Sequence, residues 1–248
     1  MRHRYKMGLC ALMLIVAIPV AFKKIRPFFS SEIGQSYRFQ PFNNISLAGV
    51  EDAEIIVGGD YAVNVQGSSQ AVKSLDMQFQ NNSLHILHKK KVLDFFSHYT
   101  KPAKIRIILP TLKTIVSSGS STVSVKGDVK NDLTVVLSGS GNIVISGKIQ
   151  ENTMAVLKGS GQIFLSDIDA DKVVSNVFGS GDIKLAGESH SYTGLLMGSG
   201  KIDISQLQSK EGHLSLMGSG DIEVNPAVDM SAWKISKTGS GTIQPKKA

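Results

Sequence analysis

Serines that recur in Gly-Ser-Gly triplets are the first residues whose type and spacing could do chemistry, because a serine hydroxyl can act as a nucleophile. A nucleophile elbow has the pattern G-x-S-x-G between a strand and a helix, with a histidine and an acid nearby. The triplets do not fit that pattern, and their repetition indicates structural corners. They are Gly139-Ser140-Gly141, Gly159-Ser160-Gly161, Gly179-Ser180-Gly181, Gly198-Ser199-Gly200, Gly218-Ser219-Gly220 and Gly239-Ser240-Gly241. No catalytic residue is predicted among them.

Histidine and aspartate groups could bind metal, but their spacing is unfavourable. His85 and His88 would point to opposite faces of a strand, so they could not readily share an ion. The run Asp167–Asp171 begins like a calcium-binding loop, yet Lys172 occupies the sixth position and Phe178 the twelfth, where Gly and Glu are required. We therefore predict no metal and no cofactor.

Charged residues on successive repeats could form a carbohydrate-active site, because such sites combine clustered carboxylates with Lys or Arg on one face. Aligning the repeats places these residues in two columns, Lys184, Asp203 and Glu223 in one and Asp182, Lys201 and Asp221 in the other. Opposite charges that alternate down a stack favour ion pairs between coils. The columns are therefore interpreted as structural, and the protein is predicted not to be an enzyme.

The triplets recur every 19 to 21 residues and so define the architecture. Four residues after the first glycine of each copy stands a β-branched residue, in the series Val123, Ile143, Ile163, Ile183, Ile202, Ile222 and Ile243. Apolar and polar residues alternate around it, which is typical of a half-buried strand. Stacked repeats would bury this column in one continuous core. The sequence predicts an all-β, single-stranded parallel β-helix with coils of about 20 residues. The degenerate first copy, Gly119-Ser120-Ser121, predicts a looser corner.

The rest of the chain divides around these repeats. Residues 1–26 have a basic start, an apolar run at 7–22 and further basic residues, which is typical of a secretory signal or membrane anchor. Residues 27–110 are interpreted as irregular first coils and an amino-terminal cap, and residues 111–248 as the regular repeats. Residues 27–248 would then form one domain. The predicted location is outside the cytoplasm: the periplasm, the inner membrane by an anchor, or the cell surface.

Charge and cysteine content exclude several classes of function. The net charge is +7, but residues 1–26 contain six Lys or Arg and no acid, so 21 bases face 20 acids in the remainder. A nearly neutral body argues against nucleic-acid binding. The chain has one cysteine, Cys10, so it contains no disulfide framework and the body offers no thiolate site.

An apolar strip is predicted on the outside of the coils. Phe178, Met197 and Met217 stand just before three successive corners, and a parallel column two residues earlier contains Val136, Val156 and Leu195. Alternation turns both columns away from the core. Such a strip is either a partner surface or a face covered by the amino-terminal segment or a loop. Our hypothesis is that it mediates self-association.

The chain resembles the GIN-domain family of bacterial auto-transporter adhesin head domains over about residues 37–243. The resemblance is carried by Ile45–Val50, Ala53–Val57, Leu84–Ile86, Ile105–Pro110, Leu112 and the Gly-Ser-Gly series. It implies a right-handed parallel β-helix and an exported location, and it supplies no catalytic residues.

These observations predict a non-enzymatic exported cell-envelope protein, an adhesin-like binding or self-association module that uses an extended surface. Its partners would be a second copy or another envelope or surface component, and the membrane if residues 7–22 are retained. An anchored periplasmic structural or assembly protein is the alternative, and a carbohydrate-active β-helix enzyme is the less favoured one.

Overall fold

The computed structural model describes residues 33–36, 41–89 and 101–246. The predicted signal or anchor at residues 1–26 lies outside these ranges. Within them, no helix combines the length and the apolar character that crossing a bilayer requires.

The described chain is a β-solenoid, as the repeats predict. The amino-terminal elements are β1 (Ile33–Ser36), β2 (Asn44–Gly49), β3 (Asp52–Val57), β4 (Ala62–Gly67), α1 (Ser69–Lys73), β5 (Leu75–Gln80), β6 (Ser83–His88) and β7 (Lys104–Leu109). The repeats supply β8 (Thr114–Gly119), β9 (Thr122–Lys126), β10 (Leu133–Gly139), β11 (Asn142–Ser146), β12 (Thr153–Gly159), β13 (Gln162–Gly179), β14 (Asp182–Gly198), β15 (Lys201–Gly218), β16 (Asp221–Val224), β17 (Lys234–Thr238) and β18 (Thr242–Pro245).

Each regular coil has two main sides, which meet at the Gly-Ser-Gly corner. The pre-corner side stacks β6, β2, β8, β10 and β12, then the last halves of β13, β14 and β15, and finally β17. The post-corner side stacks β7, β3, β9 and β11, then the first halves of β13, β14 and β15, and finally β16 and β18. These pairings are all parallel, and the triplets lie directly above one another.

The order of coils differs from the order of the chain at the amino-terminal end. The coil formed by β2 and β3 lies between the β6–β7 coil and the β8–β9 coil. After β3 the chain turns back through β4, α1 and β5, which pair antiparallel with the β6–β7 coil or pack beside it. These antiparallel elements cover that end of the stack and keep its backbone groups from pairing with another chain.

The column of β-branched residues forms the core, as predicted. Ile143, Ile163, Ile183 and Ile202 pair in register across successive coils and are completely buried. Their burial makes each coil depend on its neighbours, because one coil cannot enclose its own apolar side chains.

One bulky residue alters the core locally. Tyr192 is fully buried, and its hydroxyl hydrogen-bonds the Ser175 hydroxyl in the previous coil. A side chain at Gly194 would collide with the Tyr192 ring. The Tyr192 side chain occupies the space that larger residues would fill at positions 175 and 194. Ser175 and Gly194 are therefore small.

The corners are tight because successive glycines nearly touch. Gly179 has φ of +132°, and a Cβ atom there would lie 2.5 Å from the Gly159 carbonyl oxygen. A Cβ at Gly181 would meet the Gly161 carbonyl oxygen at 2.3 Å. The close approach lets the backbone N–H groups of Ser180 and Gly181 both donate to the Gly159 carbonyl. The triplet is therefore a structural corner in this fold.

The first corner, where Ser121 replaces the second glycine, has weaker backbone hydrogen bonding. Of the described N–H groups at this corner, only that of Ser120 donates to the Gly49 carbonyl, at 3.3 Å, whereas at the next corner Ser140 and Gly141 both donate to the Gly119 carbonyl at 3.0 and 3.1 Å. Ser121 is buried, and its hydroxyl lies 3.0 Å from the hydroxyl of Ser117, which is also buried. Gly119 has a φ of +124°, close to that of the later corner glycines. The expected loosening therefore appears in the backbone hydrogen bonds of this described corner, whereas Gly119 keeps the positive φ of the later corners.

A second turn follows the post-corner strands. Gly127, Gly147 and Gly187 occupy it with positive φ, and Asp167 takes the same place with φ of +59°. It leads into a short third side, where Val129, Ile149 and Ile168 form bridges between coils. These glycines recur with the same spacing as the triplets, so the sequence alone could have indicated this turn.

The carboxyl-terminal coil ends the stack with an edge. Every residue of β17 is exposed, and Lys237 stands where Leu216 points inward in the coil below. Trp233 covers part of the core by lying on Gly212, with its ring 6.3 Å from that of Tyr192. An inward-facing lysine discourages further strand pairing at an edge.

Candidate functional site

The predicted apolar strip lies on the outer surface of the pre-corner side. Phe178, Met197 and Met217 pair in register across three coils. Met197 is 39% exposed and Met217 is 40% exposed, and Phe178 is partly buried. No segment within the described ranges covers the two methionines. The neighbouring column brings Val136 next to Val156, and both are partly exposed.

The structure extends this strip by a further column that the sequence reasoning omitted. Met154 is 41% exposed and pairs with Val174 in the next coil. Both lie two residues before the Val136–Val156–Leu195 column and face the same way. The signal was available, because the strand alternation that turned Val156 outward also turns Met154 outward.

Asn176 stands at the centre of the strip. It pairs with Val156 on one side and Leu195 on the other, and Val174 and Phe178 flank it along its own strand. No other described residue hydrogen-bonds the side-chain amide of Asn176. In the aligned repeats, this residue is the one polar residue in the column between Val156 and Leu195.

The charges around the strip are basic. At the three outward positions nearest the corner in each pre-corner strand from β8 to β17, all of which the structure describes, the charged side chains are Lys158 and Lys234, with His213 beside them. Carboxylates are absent from these three positions, and Glu211 lies two residues further from the corner of β15. An anionic side chain therefore does not oppose burial of the strip against another surface.

The post-corner side has a different character, because basic residues engage several of its carboxylates. Lys184, Asp203 and Glu223 are stacked neighbours, as the alignment predicted. Lys201 lies 2.6 Å from the Glu223 carboxylate, and Lys246 lies 3.2 Å from that of Asp203. These contacts join coils to one another and to the end of the chain.

The Asp203 carboxyl should make stability depend on pH. Burial alone would raise its pKa, but hydrogen bonds from the Ser205 hydroxyl and backbone N–H, together with Lys246, outweigh burial and lower the pKa. Its contribution to stability is complete above the unfolded pKa of about 3.9 and is lost as the pH falls through the lower, folded value. Asp203→Asn should therefore lower the melting temperature at pH 7 and reduce its decline below pH 4.

Thermal melts from pH 7 to about pH 2.5 would test this expectation. Asp171→Asn, at an exposed aspartate, is the matched control and should follow the wild-type curve. Parallel curves for wild type and Asp203→Asn would show that this carboxyl does not stabilise the fold.

The histidines and aspartates considered as metal ligands lie apart. His88 contacts the buried Glu51 carboxylate at 2.6 Å, whereas His85 faces outward on β6. Asp169 pairs with Lys148 at 2.8 Å. Among the described residues, no three His, Cys, Asp or Glu side chains converge in a way that could hold an ion.

A shallow groove of about 260 Å³ lies near the second turn, lined by Val57, Pro110, Asp128 and Lys130 among others. The Asp128 carboxylate accepts a hydrogen bond from the Lys148 backbone N–H at 3.1 Å. The Asp128 carboxylate thus links two adjacent coils, and the groove is a structural feature of the turn.

Fold and surface define the class of protein: a β-solenoid with a charged side and an apolar side. The family model described as "Putative auto-transporter adhesin, head GIN domain" matches residues 41–247. The chain belongs to this family, which confirms the resemblance seen in the sequence. No curated protein matches the chain.

Solved structures share the fold. A "putative lipid binding protein" from Parabacteroides distasonis is 21% identical with a TM-score of 0.75, over 87% of this chain and 97% of that one. A "putative adhesin" from Bacteroides fragilis is also 21% identical, with a TM-score of 0.68 over 88% and 98% of the two chains. A third, a "putative adhesin" from Parabacteroides distasonis, is 16% identical with a TM-score of 0.66 over 87% and 97%. At these identities the similarity shows the fold alone.

Proposed function

We propose that the protein is a non-enzymatic, exported cell-envelope module with an adhesin-like function, binding through the apolar strip. The observation that carries the proposal is the exposure of Met154, Met197 and Met217 on one continuous sheet surface. Large contiguous apolar patches on soluble domains mark interaction sites. Membership of an adhesin head-domain family and the "putative adhesin" names of relatives with this fold support the same proposal.

The form of the surface suits binding by area. A stack of parallel strands presents flexible methionines beside Phe178, and methionine adapts readily to different partners. The Asp203 and Glu223 carboxylates of the post-corner side pair with lysines, which supports a structural role for them.

Met197→Glu combined with Met217→Glu should abolish binding without unfolding the protein. Burying an unpaired carboxylate in an apolar interface is strongly unfavourable, so two charged replacements should weaken binding at least tenfold. Cells that display the full chain should autoaggregate, and the double variant should settle as slowly as cells without the protein. Settling is followed by optical density.

Gln162→Glu combined with Ser146→Glu is the matched control, since it adds the same charge at two exposed positions of the post-corner side. These cells should aggregate like wild type. If both double variants behave alike, the apolar strip is not the binding surface.

The anchored periplasmic alternative differs in location. External protease on intact cells should digest the displayed protein if it acts at the surface. Protection until the outer envelope is opened, with the protein in the inner-membrane fraction, would favour a periplasmic structural role and contradict the adhesin proposal.

A further inference from the structure

We infer that the partner of the apolar strip is a second copy of this chain, packed face to face about a twofold axis that passes beside Asn176. The inference rests on the proposed function only in taking the strip as a binding surface. It adds the identity of the partner and the residue that aligns the two copies.

The amide of Asn176 is the main observation. It lies at the centre of the strip between Val156 and Leu195, and no described residue hydrogen-bonds it. A primary amide has both donors and an acceptor, so two amides related by a twofold axis can each donate to the other. An apolar partner or an acyl chain would instead bury this amide unpaired, which is unfavourable.

The spacing between packed sheets suits this pair. Two sheets packed face to face lie about 10 Å apart. Two asparagine side chains that meet through hydrogen bonds of about 2.9 Å extend over roughly that distance. In coiled coils, a single buried asparagine pair likewise fixes the register of two identical helices.

The pre-corner side, which contains the strip, is large enough for a specific dimer. The seven pre-corner strands from β8 to β17 extend over about 34 Å at ~4.8 Å per strand, and six residues along each strand extend over about 20 Å. This gives roughly 700 Å² per copy, and the sum for two copies lies within the range of about 1,200–2,000 Å² of standard interfaces.

The basic residues are compatible with this arrangement. Lys158 lies one strand from Asn176 and beside Phe178. A twofold axis along the strands would place Lys158 against Met197 of the other copy, and an axis along the solenoid would place it against Met154. In neither case do the two lysines meet. Each lysine stem can pack on a methionine while its ammonium group reaches water.

Cross-linking of the full chain in cells tests the inference. In a Cys10→Ser background, the Asn176→Cys variant is treated with a short bifunctional maleimide. If the two copies meet at this position, most of the protein should run at twice the monomer mass on a denaturing gel. Two controls place the thiol elsewhere: Ser118→Cys on the same side but three strands away, and Ser146→Cys on the post-corner side. Each should give at least tenfold less dimer.

A monofunctional maleimide applied to the same cells makes every other outcome decisive. If the thiol introduced by Asn176→Cys reacts but no dimer forms, the strip is open and the inference is wrong. If the thiol is protected from the monofunctional reagent but no dimer forms, another molecule such as a lipid covers the strip. If the bifunctional reagent gives an adduct of another mass, the occupant is a different protein. Equal dimer yields at all three positions would indicate random collision. Methionine-dependent aggregation without this cross-link would retain the proposed function and reject the second copy.

Discussion

Ile183→Asp is expected to unfold the coils around it. Ile183 is completely buried and pairs in register with Ile163 below and Ile202 above. No described basic side chain lies in this part of the core, so the new carboxylate would be buried without a partner. Burial of an unpaired charge costs more than about 4 kcal/mol, a large part of the 5–15 kcal/mol that stabilises a typical domain. The urea midpoint measured by circular dichroism should fall sharply.

Two variants separate charge from shape at this position. Ile183→Val keeps the site apolar and should cost about 0.5–1.5 kcal/mol. Lys184→Ala changes the adjacent outward residue and should stay within about 0.5 kcal/mol of wild type. A wild-type midpoint for Ile183→Asp would mean that the inward and outward columns have been exchanged.

The damage should also be local, because each coil contacts only its neighbours. Hydrogen exchange of Ile183→Asp should lose protection around Ile163, Ile183 and Ile202. The antiparallel end formed by β4 and β5 should retain its protection, since it packs on the other end of the stack.

The regular coils were predictable because each inward position repeats. A column such as Ile143, Ile163 and Ile183 gives the strand, its buried face and its pairing register together, since the repeat length equals one coil. The amino-terminal region lacks that repetition. Parallel pairing of β2 with both β6 and β8 joins segments far apart in the chain, and no local pattern specifies it.

The apolar strip was predictable in position but not in detail. Alternation turned Phe178, Met197 and Met217 outward, and it could equally have identified Met154. It could not show that the face is free of covering segments, because exposure depends on what packs from elsewhere. The central position of Asn176 in the strip became clear only from its pairing with Val156 and Leu195 in the neighbouring coils. Similarly, Ser175 and Gly194 make sense only beside Tyr192.

The two sides of the solenoid differ in how their outward side chains contribute to stability. On the post-corner side, Lys201–Glu223 and Lys246–Asp203 connect coils and hold the carboxyl-terminal strand. On the pre-corner side, the outward methionines are exposed, and no ion pair of the described residues there links one coil to the next through them. Substitutions on this side can therefore alter association with little effect on folding, which makes the binding experiments interpretable.

Gly179→Ala is expected to destabilise the repeats strongly for so small a substitution. The residue has φ of +132°, a conformation that costs a non-glycine residue about 1–3 kcal/mol. The new Cβ would also lie 2.5 Å from the Gly159 carbonyl oxygen, which accepts hydrogen bonds from Ser180 and Gly181. Relieving the clash must move the coils apart and weaken both bonds. The two effects together should destabilise the fold by roughly 2–4 kcal/mol.

Ser180→Ala in the same corner is the matched control for Gly179→Ala. Its side chain is exposed and its backbone N–H still donates to Gly159, so the substitution should change stability by less than about 0.5 kcal/mol. Chemical denaturation of the two variants compares the contribution of the glycine backbone to stability with that of the serine hydroxyl. Equal losses would mean that the serine hydroxyls hold the corner, and a stable Gly179→Ala would mean that the coils can separate there freely. The glycine backbone explains why glycine recurs at every corner only if Gly179→Ala is the variant that loses stability.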